Sequence, residues 1–326
     1  MEEDQPLELE VFKRNPLAEL VNLLHGILNV FTISMALFRN WWFSEELARV
    51  INELLRLEKH CVKYCKLDME ECLQFDRFII HKGLMSILLI VSTLLLEYGM
   101  SPINKVQYYI GVLTITALQL SMMVMALQFY FAVLHIYRLV WVVNRQLLRL
   151  ANHLADGSTT VDASKFPMML QDYRLVLNLS HRIVSIYDYQ VTLHLITFLT
   201  ANMMGVFFFI VINISLQNSS DFIAFIIFPQ AIAFNLWDFW LSIEICDLVE
   251  QSGRQTSAIL KLFSDFNGLS VEFERTVQVF ALFISHRKLQ IRHCGLFYVN
   301  NALGFQMIVT SVLYLIFFVQ FDFMNL

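Results

Sequence analysis

The sequence predicts an all-α, polytopic transmembrane helical bundle, and three observations support this fold class. The 326 residues are 57% hydrophobic, which is too apolar for a soluble domain of this size. The stretch Asn301–Phe321 is almost entirely apolar and would be about 30 Å long as a helix, the thickness of a bilayer's hydrocarbon core. No run alternates apolar and polar residues over about ten positions, and only 10 glycines and 5 prolines are present, which disfavours an outer-membrane barrel.

Several classes of function are disfavoured by composition and motifs. A net charge of −5 and a pI near 6.0 leave no basic surface for nucleic acid, so no nucleic-acid partner is expected. No phosphate-binding glycine loop, HExxH or GxSxG motif is present, so neither an enzyme nor a bound cofactor is predicted. His60, Cys61 and Cys65 have a spacing that suits a metal on a helix, but a fourth ligand of matching spacing is lacking. No metal site is therefore predicted.

The first predicted span covers residues 17–38 and follows a largely acidic tail at residues 1–16. Its polar residues recur at spacings of three and four and form one stripe on an apolar helix: Glu19, Asn22, His25, Asn29 and Thr32. Unpaired polar groups are expensive in lipid, so such a stripe either faces other helices or lines a watery pocket. Both alternatives are compatible with the sequence.

Three elements are predicted next. Residues 39–82 form a charged cytosolic connection with a solvated amphipathic helix, and residues 83–100 form the second span. Residues 106–143 form the third span, which would be about 57 Å long as a helix, nearly twice what the bilayer needs. Because Arg138 and Arg145 lie at its end, the excess is expected to project into the cytosol, where a loop covers residues 144–190.

Two further spans are predicted at residues 191–216 and 223–245, before a cytosolic stretch at residues 246–300. The first of them continues from a helix that includes Tyr173–Tyr189, and Pro229 is expected to kink the second. Asp238 lies in the second of these spans, on the same face as Asn235 and Ser242. An acid inside a membrane is a functional candidate, although pairing with a neighbouring helix is an equal alternative.

The final span, within residues 301–326, carries a distinct arc of residues. At 100° per residue, five side chains fall within about 80°, with Tyr314 just beyond the edge: Gln306, Thr310, Leu313, Phe317 and Gln320. The arc indicates either a hydrogen-bonded seam between helices or the lining of a pore. A continued helix would place Asp322 about 200° from Gln320, whereas a frayed last turn would bring its carboxylate to the pore mouth.

The distribution of lysine and arginine predicts the orientation of the chain. Residues 39–82, 138–182 and 254–292 hold 20 of the 23 basic residues, and these stretches are expected in the cytoplasm. With six spans, both termini would then lie outside.

The end of the chain resembles the insect gustatory receptor family. Tyr314, five apolar residues and then Gln320-Phe321 are similar to the family's signature of Thr-Tyr, five apolar residues and Gln-Phe, with Leu313 at the threonine position. The run Ser285–Phe305 is similar to the family's approach to its final helix, with a basic segment, a Gly-Leu-Phe and an Asn. The resemblance implies a tetrameric, ligand-gated cation channel with its N-terminus in the cytosol and its C-terminus outside, in the plasma membrane of chemosensory neurons.

The resemblance also implies how the parts are used. The family has seven spans, so its first helix is expected to be missing here, through a truncated gene model, a short isoform or loss. Long helices would descend into a cytosolic anchor that includes residues 246–300, and the final helix would line the pore. The predicted pore and gate residues are Leu313, Tyr314, Phe317, Gln320, Phe321 and Asp322. The predicted ligand-binding residues are Asn22, His25, Asn29, Asn235 and Asp238.

The predicted function is a subunit of a tastant-gated, non-selective cation channel, of bitter or orphan type because no hallmark of the sugar receptors is present. Its expected partners are a small-molecule tastant, the lipid bilayer and other gustatory receptor subunits in a homo- or heterotetramer. A G-protein-coupled receptor is disfavoured because no Asp-Arg-Tyr follows a third span and no Asn-Pro-x-x-Tyr lies in the last. A secondary transporter is disfavoured because no internal repeat is evident.

Overall fold

The computed structural model of the chain describes residues 15–65, 72–99, 106–155, 165–215, 226–266 and 271–324. Within these ranges the chain forms eight α-helices and one two-stranded hairpin. The helices are α1 (Pro16–Trp42), α2 (Ser44–Cys65), α3 (Leu73–Gly99), α4 (Val106–Ala155), α5 (Lys165–Ser215), α6 (Phe228–Leu262), α7 (Val271–His286) and α8 (Asn301–Met324). Strands β1 (Arg292–His293) and β2 (Phe297–Tyr298) precede α8. Most of the predicted N-terminal tail lies outside the described ranges.

The predicted fold class, an all-α polytopic transmembrane bundle, is confirmed. By length and composition, five of the described helices can cross a membrane: α1, α3, α4, α5 and α8. The predicted span at residues 223–245 is not among them; its first three residues lie outside the described ranges, and α6 begins at Phe228. That helix nevertheless lies inside the bundle, where it packs against α3, α4 and α5.

Helices α1 and α6 each have a proline at one of their first two positions. The side chain of Asn15 accepts a hydrogen bond from the backbone N–H of Ala18 at 3.0 Å, and Pro16 is the first residue of α1. Pro229 occupies the first turn of α6, which begins at Phe228. Residue 225, whose carbonyl the ring of Pro229 would meet, lies outside the described ranges, so the kink at Pro229 stays a prediction.

Helices α4 and α5 are much longer than a bilayer requires. They contain 50 and 51 residues, so each is about 75 Å long. The predicted passage of one helix from Tyr173–Tyr189 directly into the span at residues 191–216 is confirmed as far as Ser215, where α5 ends. The centre of the core is formed by α4, where Leu134, Val140 and Leu147 are fully buried.

The amphipathic helix predicted in the connection at residues 39–82 is α2. Its Glu58 carboxylate accepts a hydrogen bond from Arg138 of α4 at 3.0 Å and lies 3.3 Å from Nδ1 of His135. The His135 ring beside it, together with the Arg138 guanidinium, holds the pKa of Glu58 below its usual range. These contacts attach α2 to the end of the predicted third span, where basic residues were expected to gather.

The hairpin before α8 was not predicted, and it is attached to α5. Arg292 pairs with Tyr298 and His293 with Phe297, and the turn places Cys294 and Gly295 at φ values of 51° and 64°. The Asp188 carboxylate of α5 accepts a hydrogen bond from the Cys294 backbone N–H and lies 3.3 Å from Nδ1 of the buried His293. Burial lowers the pKa of His293, although Asp188 opposes the shift. The start of α8 is thereby fixed to α5.

Candidate functional site

A cavity of about 270 Å³ lies among α1, α3, α4, α5 and α6. Apolar residues such as Ile90, Leu94 and Phe198 form much of its wall. Its polar lining includes Asn29, Thr93, Gln119, His194, Asn235 and Asp238. The cavity thus combines apolar walls with a few polar groups from five helices, which is the usual composition of a small-molecule site.

Three of the five predicted ligand-binding residues line this cavity, namely Asn29, Asn235 and Asp238. His25 does not line it. Its Nδ1 lies 2.9 Å from the hydroxyl oxygen of Thr200 on α5, so it belongs to the seam between α1 and α5. Asn22 is exposed and also lies away from the cavity. The stripe of α1 therefore serves both alternatives that the sequence allowed, a packing seam and a polar pocket wall.

The sequence did not predict the partner of Asp238, which is Lys82. The Lys82 ammonium lies 2.7 Å from Oδ1 of Asp238 and donates a hydrogen bond to the Ser242 hydroxyl at 3.0 Å. It also lies 5.0 Å from the ring centre of Tyr130, within the range of a cation–π interaction. The side chain of Lys82 is only 1% exposed. An ion pair therefore joins α3 to α6 at the edge of the cavity.

The position of Lys82 explains why the sequence concealed this pair. The sequence places it at the end of a charged connection, one residue before the predicted second span at residues 83–100. The helix α3 in fact begins at Leu73, so Lys82 lies well inside it. The sequence did contain one signal for this pair. An acid within a membrane protein is usually paired with another polar group, and Lys82 is a cation directly before an apolar run.

Helix α6, which carries Asp238, also makes a close contact with α8 at Gly304. A Cβ atom placed on Gly304 would lie 2.9 Å from Cγ2 of Ile243 and 3.4 Å from the ring of Trp240. Such distances exclude a side chain unless the helices move apart. Asp238, Trp240 and Ile243 lie within two turns of α6, so this one helix segment contacts both the cavity and α8.

The predicted arc of the final helix lies within the exposed face of that helix in the single chain, a face that also includes Val312 and Ile316. Gln306, Thr310 and Gln320 are exposed, and the side chains of Leu313, Tyr314 and Phe317 are between 53% and 62% exposed. The opposite face packs on the bundle through residues that include Gly304 and Phe318. The exposed arc is therefore free to meet other chains.

The remaining two predicted pore residues lie off the arc. Phe321 is half-buried and its ring centre lies 6.4 Å from that of Phe317. Asp322 is buried, because α8 continues without fraying to Met324 and turns the carboxylate towards the bundle. The condition under which Asp322 would reach a pore mouth is therefore not met in this chain.

Comparison with known proteins agrees with this architecture. The family model of the 7tm Chemosensory receptor matches residues 3–325. The gustatory receptor for bitter taste 22e of Drosophila melanogaster is 45% identical over 325 residues, which cover 100% of this chain and 82% of that protein. The putative gustatory receptor 22a of the same organism is 41% identical over 320 residues, or 98% of this chain and 80% of that protein.

A solved structure shares the fold at much lower sequence identity. The insect olfactory receptor OR5 from Machilis hrabei, in complex with eugenol, superposes with a TM-score of 0.63 at 12% identity, over 93% of this chain and 82% of that one. This likeness concerns the fold. The family model and the curated relatives match nearly the whole chain, so the chain belongs to the 7tm chemosensory receptor family and is a gustatory receptor of the insect type.

Proposed function

We propose that this chain is a subunit of a tastant-gated, non-selective cation channel in the plasma membrane of chemosensory neurons. The observation that carries the proposal is the arrangement of α6, where Asp238 borders the cavity while Trp240 and Ile243 contact α8 at Gly304. A ligand that fills the cavity can favour one position of α6 and so bias the helix that it touches. The bitter type is favoured because the 45% identical relative is a receptor for bitter taste.

The ligand that suits the cavity is a small molecule with few polar groups. The volume of about 270 Å³ is near the lower end of ordinary ligand pockets, about 300–1,000 Å³. Asn29 and Asn235 offer amide groups, and Asp238 offers a carboxylate whose charge Lys82 already balances. A ligand therefore needs no charge of its own, and a hydroxyl or amide group is sufficient to bind these residues.

The pore is proposed to form where the exposed arcs of four α8 helices meet around an axis. Leu313 and Phe317 would then form apolar rings that close the conduction path by excluding water. Gln320 lies one turn farther out and offers amide oxygens to a partly hydrated cation. Tyr314, at the edge of the arc, would contact the neighbouring subunit. Such a filter discriminates weakly, so sodium and potassium ions are both expected to pass.

The proposed orientation places the C-terminus outside and the connection between α4 and α5 in the cytosol. The argument is the concentration of lysine and arginine in three stretches on the proposed cytosolic side. We expect an epitope after Leu326 to be stained on intact cells, and one inserted at Gly157 to be stained only after permeabilisation. The reverse staining would contradict both the orientation and the proposed pore mouth.

The function is tested by recording currents from cells that express the chain while a panel of bitter compounds is applied. We expect a compound that opens the channel to require a several-fold higher half-activating concentration when Asn235, which lines the cavity, is replaced by leucine. Asn22→Leu provides the matched control, because Asn22 is exposed and lies away from the cavity. An equal shift in both variants, or no current from the wild-type chain with any compound or partner subunit, would refute the proposal.

The same recordings test the proposed pore face. Phe317→Ala should raise the ligand-independent current, because it removes an apolar ring from the closed path. Phe323→Ala is the control, since Phe323 has the same 53% exposure but lies about 120° away around the helix. If Phe323→Ala raised the ligand-independent current and Phe317→Ala did not, another face of α8 would line the pore.

A further inference from the structure

Three side chains of the types that can ligate a metal lie close together where α2 packs against α5. His60 and Cys61 belong to α2, and Asp172 belongs to α5. One ligand atom from each residue, an imidazole nitrogen, a thiol sulfur and a carboxylate oxygen, lies within 4.8 Å of the other two. Nδ1 of His60 is 3.9 Å from Oδ1 of Asp172. The cluster is far in sequence from the residues of the cavity among α1, α3, α4, α5 and α6.

These separations are close to those of a tetrahedral metal site. Zinc binds histidine nitrogen and carboxylate oxygen at about 2.0–2.2 Å and cysteine sulfur at about 2.3 Å, so two of its ligands lie roughly 3.3–3.8 Å apart. The distance between His60 and Asp172 exceeds this range only slightly. Small side-chain rotations would bring the three atoms onto one ion.

The surroundings of the cluster also suit a metal ion. Cys61 is buried and the Asp172 side chain is 13% exposed, so the sulfur and the carboxylate are largely screened from bulk water. His60 and Asp172 line a second cavity, of about 530 Å³, which also contacts Glu53. This cavity provides a path for the ion and space for a water molecule as fourth ligand.

We propose that His60, Cys61 and Asp172 bind a divalent transition metal of the zinc type, with water in the fourth position. The mixture of nitrogen, sulfur and oxygen ligands favours zinc over calcium or magnesium, which prefer oxygen alone. The sequence suggested His60, Cys61 and Cys65 on one helix and lacked a further ligand. The fold supplies Asp172 from another helix, so the metal would connect α2 to α5.

Cobalt(II) provides a test that does not depend on channel activity, because a cysteine–cobalt bond produces a charge-transfer absorption. We expect this absorption when cobalt is added to the purified full chain in detergent, and we expect zinc to displace it. Cys61→Ser should abolish the band, and His60→Ala and Asp172→Asn should each weaken cobalt affinity at least ten-fold. Zinc should raise the melting temperature of the wild-type chain and leave that of the three variants unchanged.

Two variants serve as controls. Cys246→Ser removes another buried thiol from a distant helix. Cys65→Ser removes the alternative ligand that the sequence suggested. Both should retain the cobalt band with wild-type affinity. Absence of the band from the wild-type chain, its survival in Cys61→Ser, or its loss in Cys65→Ser together with its retention in Asp172→Asn would each overturn the assignment.

Discussion

Lys82→Met is expected to lower the free energy of unfolding by about 3–5 kcal/mol, because it leaves the Asp238 carboxylate within the bundle without the cation that balances it. The Lys82 side chain is only 1% exposed and the Asp238 side chain 19%, so little water is available to compensate. Asp238→Leu should have a comparable effect, because it strands the ammonium. The measurement is the thermal denaturation of the detergent-purified chain, followed by fluorescence-detected size exclusion.

The double variant that combines Lys82→Met with Asp238→Leu separates the charge effect from packing. Replacing both members of a buried pair with apolar residues is often neutral, so the double variant should be close to the wild-type stability. It should nevertheless respond less to ligands, since the cavity has lost its carboxylate. If each single variant were as stable as the double variant, the pair would not contribute to folding and the geometry at α3 and α6 would need another explanation.

Gly304→Ala is expected to produce the second large effect, because its methyl group would lie 2.9 Å from Cγ2 of Ile243. Ile243 is fully buried and branched at Cβ, so it cannot rotate away, and overpacking of this kind costs about 1–3 kcal/mol. The helices α6 and α8 would have to separate. We expect reduced thermal stability and a maximal ligand-evoked current several-fold below the wild type, measured at equal surface expression.

Gly26 provides the matched control for this substitution, because a Cβ atom there would meet nothing within 4 Å. Alanine has the higher helix propensity by about 0.5–1 kcal/mol, so Gly26→Ala should be neutral or slightly stabilising. Combining Gly304→Ala with Ile243→Ala should restore part of the current, since it returns space to the contact. Equal losses of current in Gly304→Ala and Gly26→Ala would mean that the close approach of α6 and α8 is not involved in gating.

Features that depend on spacing within one helix could be predicted from the sequence. The stripe of α1 is an example, because residues three and four apart must share a face whatever surrounds them. Three of its five members face protein: His25 bonds to Thr200, the hydroxyl of Thr32 bonds to that of Thr197, and Asn29 lines the cavity. The other two, Glu19 and Asn22, are exposed. Which of these residues would meet a cavity could not be predicted, because that depends on where α5 and α6 lie.

Features that join distant parts of the chain could not be predicted in the same way. No periodicity relates Lys82 to Asp238, or Cys61 to Asp172, because these pairs are created by the packing of separate helices. The hairpin at His293 was also missed, since strands of two residues are too short to show an alternating pattern. Its stability depends on tertiary contacts with Asp188, which local sequence does not reveal.

The cavity and the exposed arc of α8 differ in how many chains they need. The cavity is lined by helices of one chain, whereas the proposed pore needs the exposed arcs of α8 from four chains. If related receptors co-assemble, each subunit would therefore keep its own chemical preference while all of them share one conduction path. A taste neuron could then combine a few receptor genes to produce many distinct sensitivities, without any change in the ions that carry the signal.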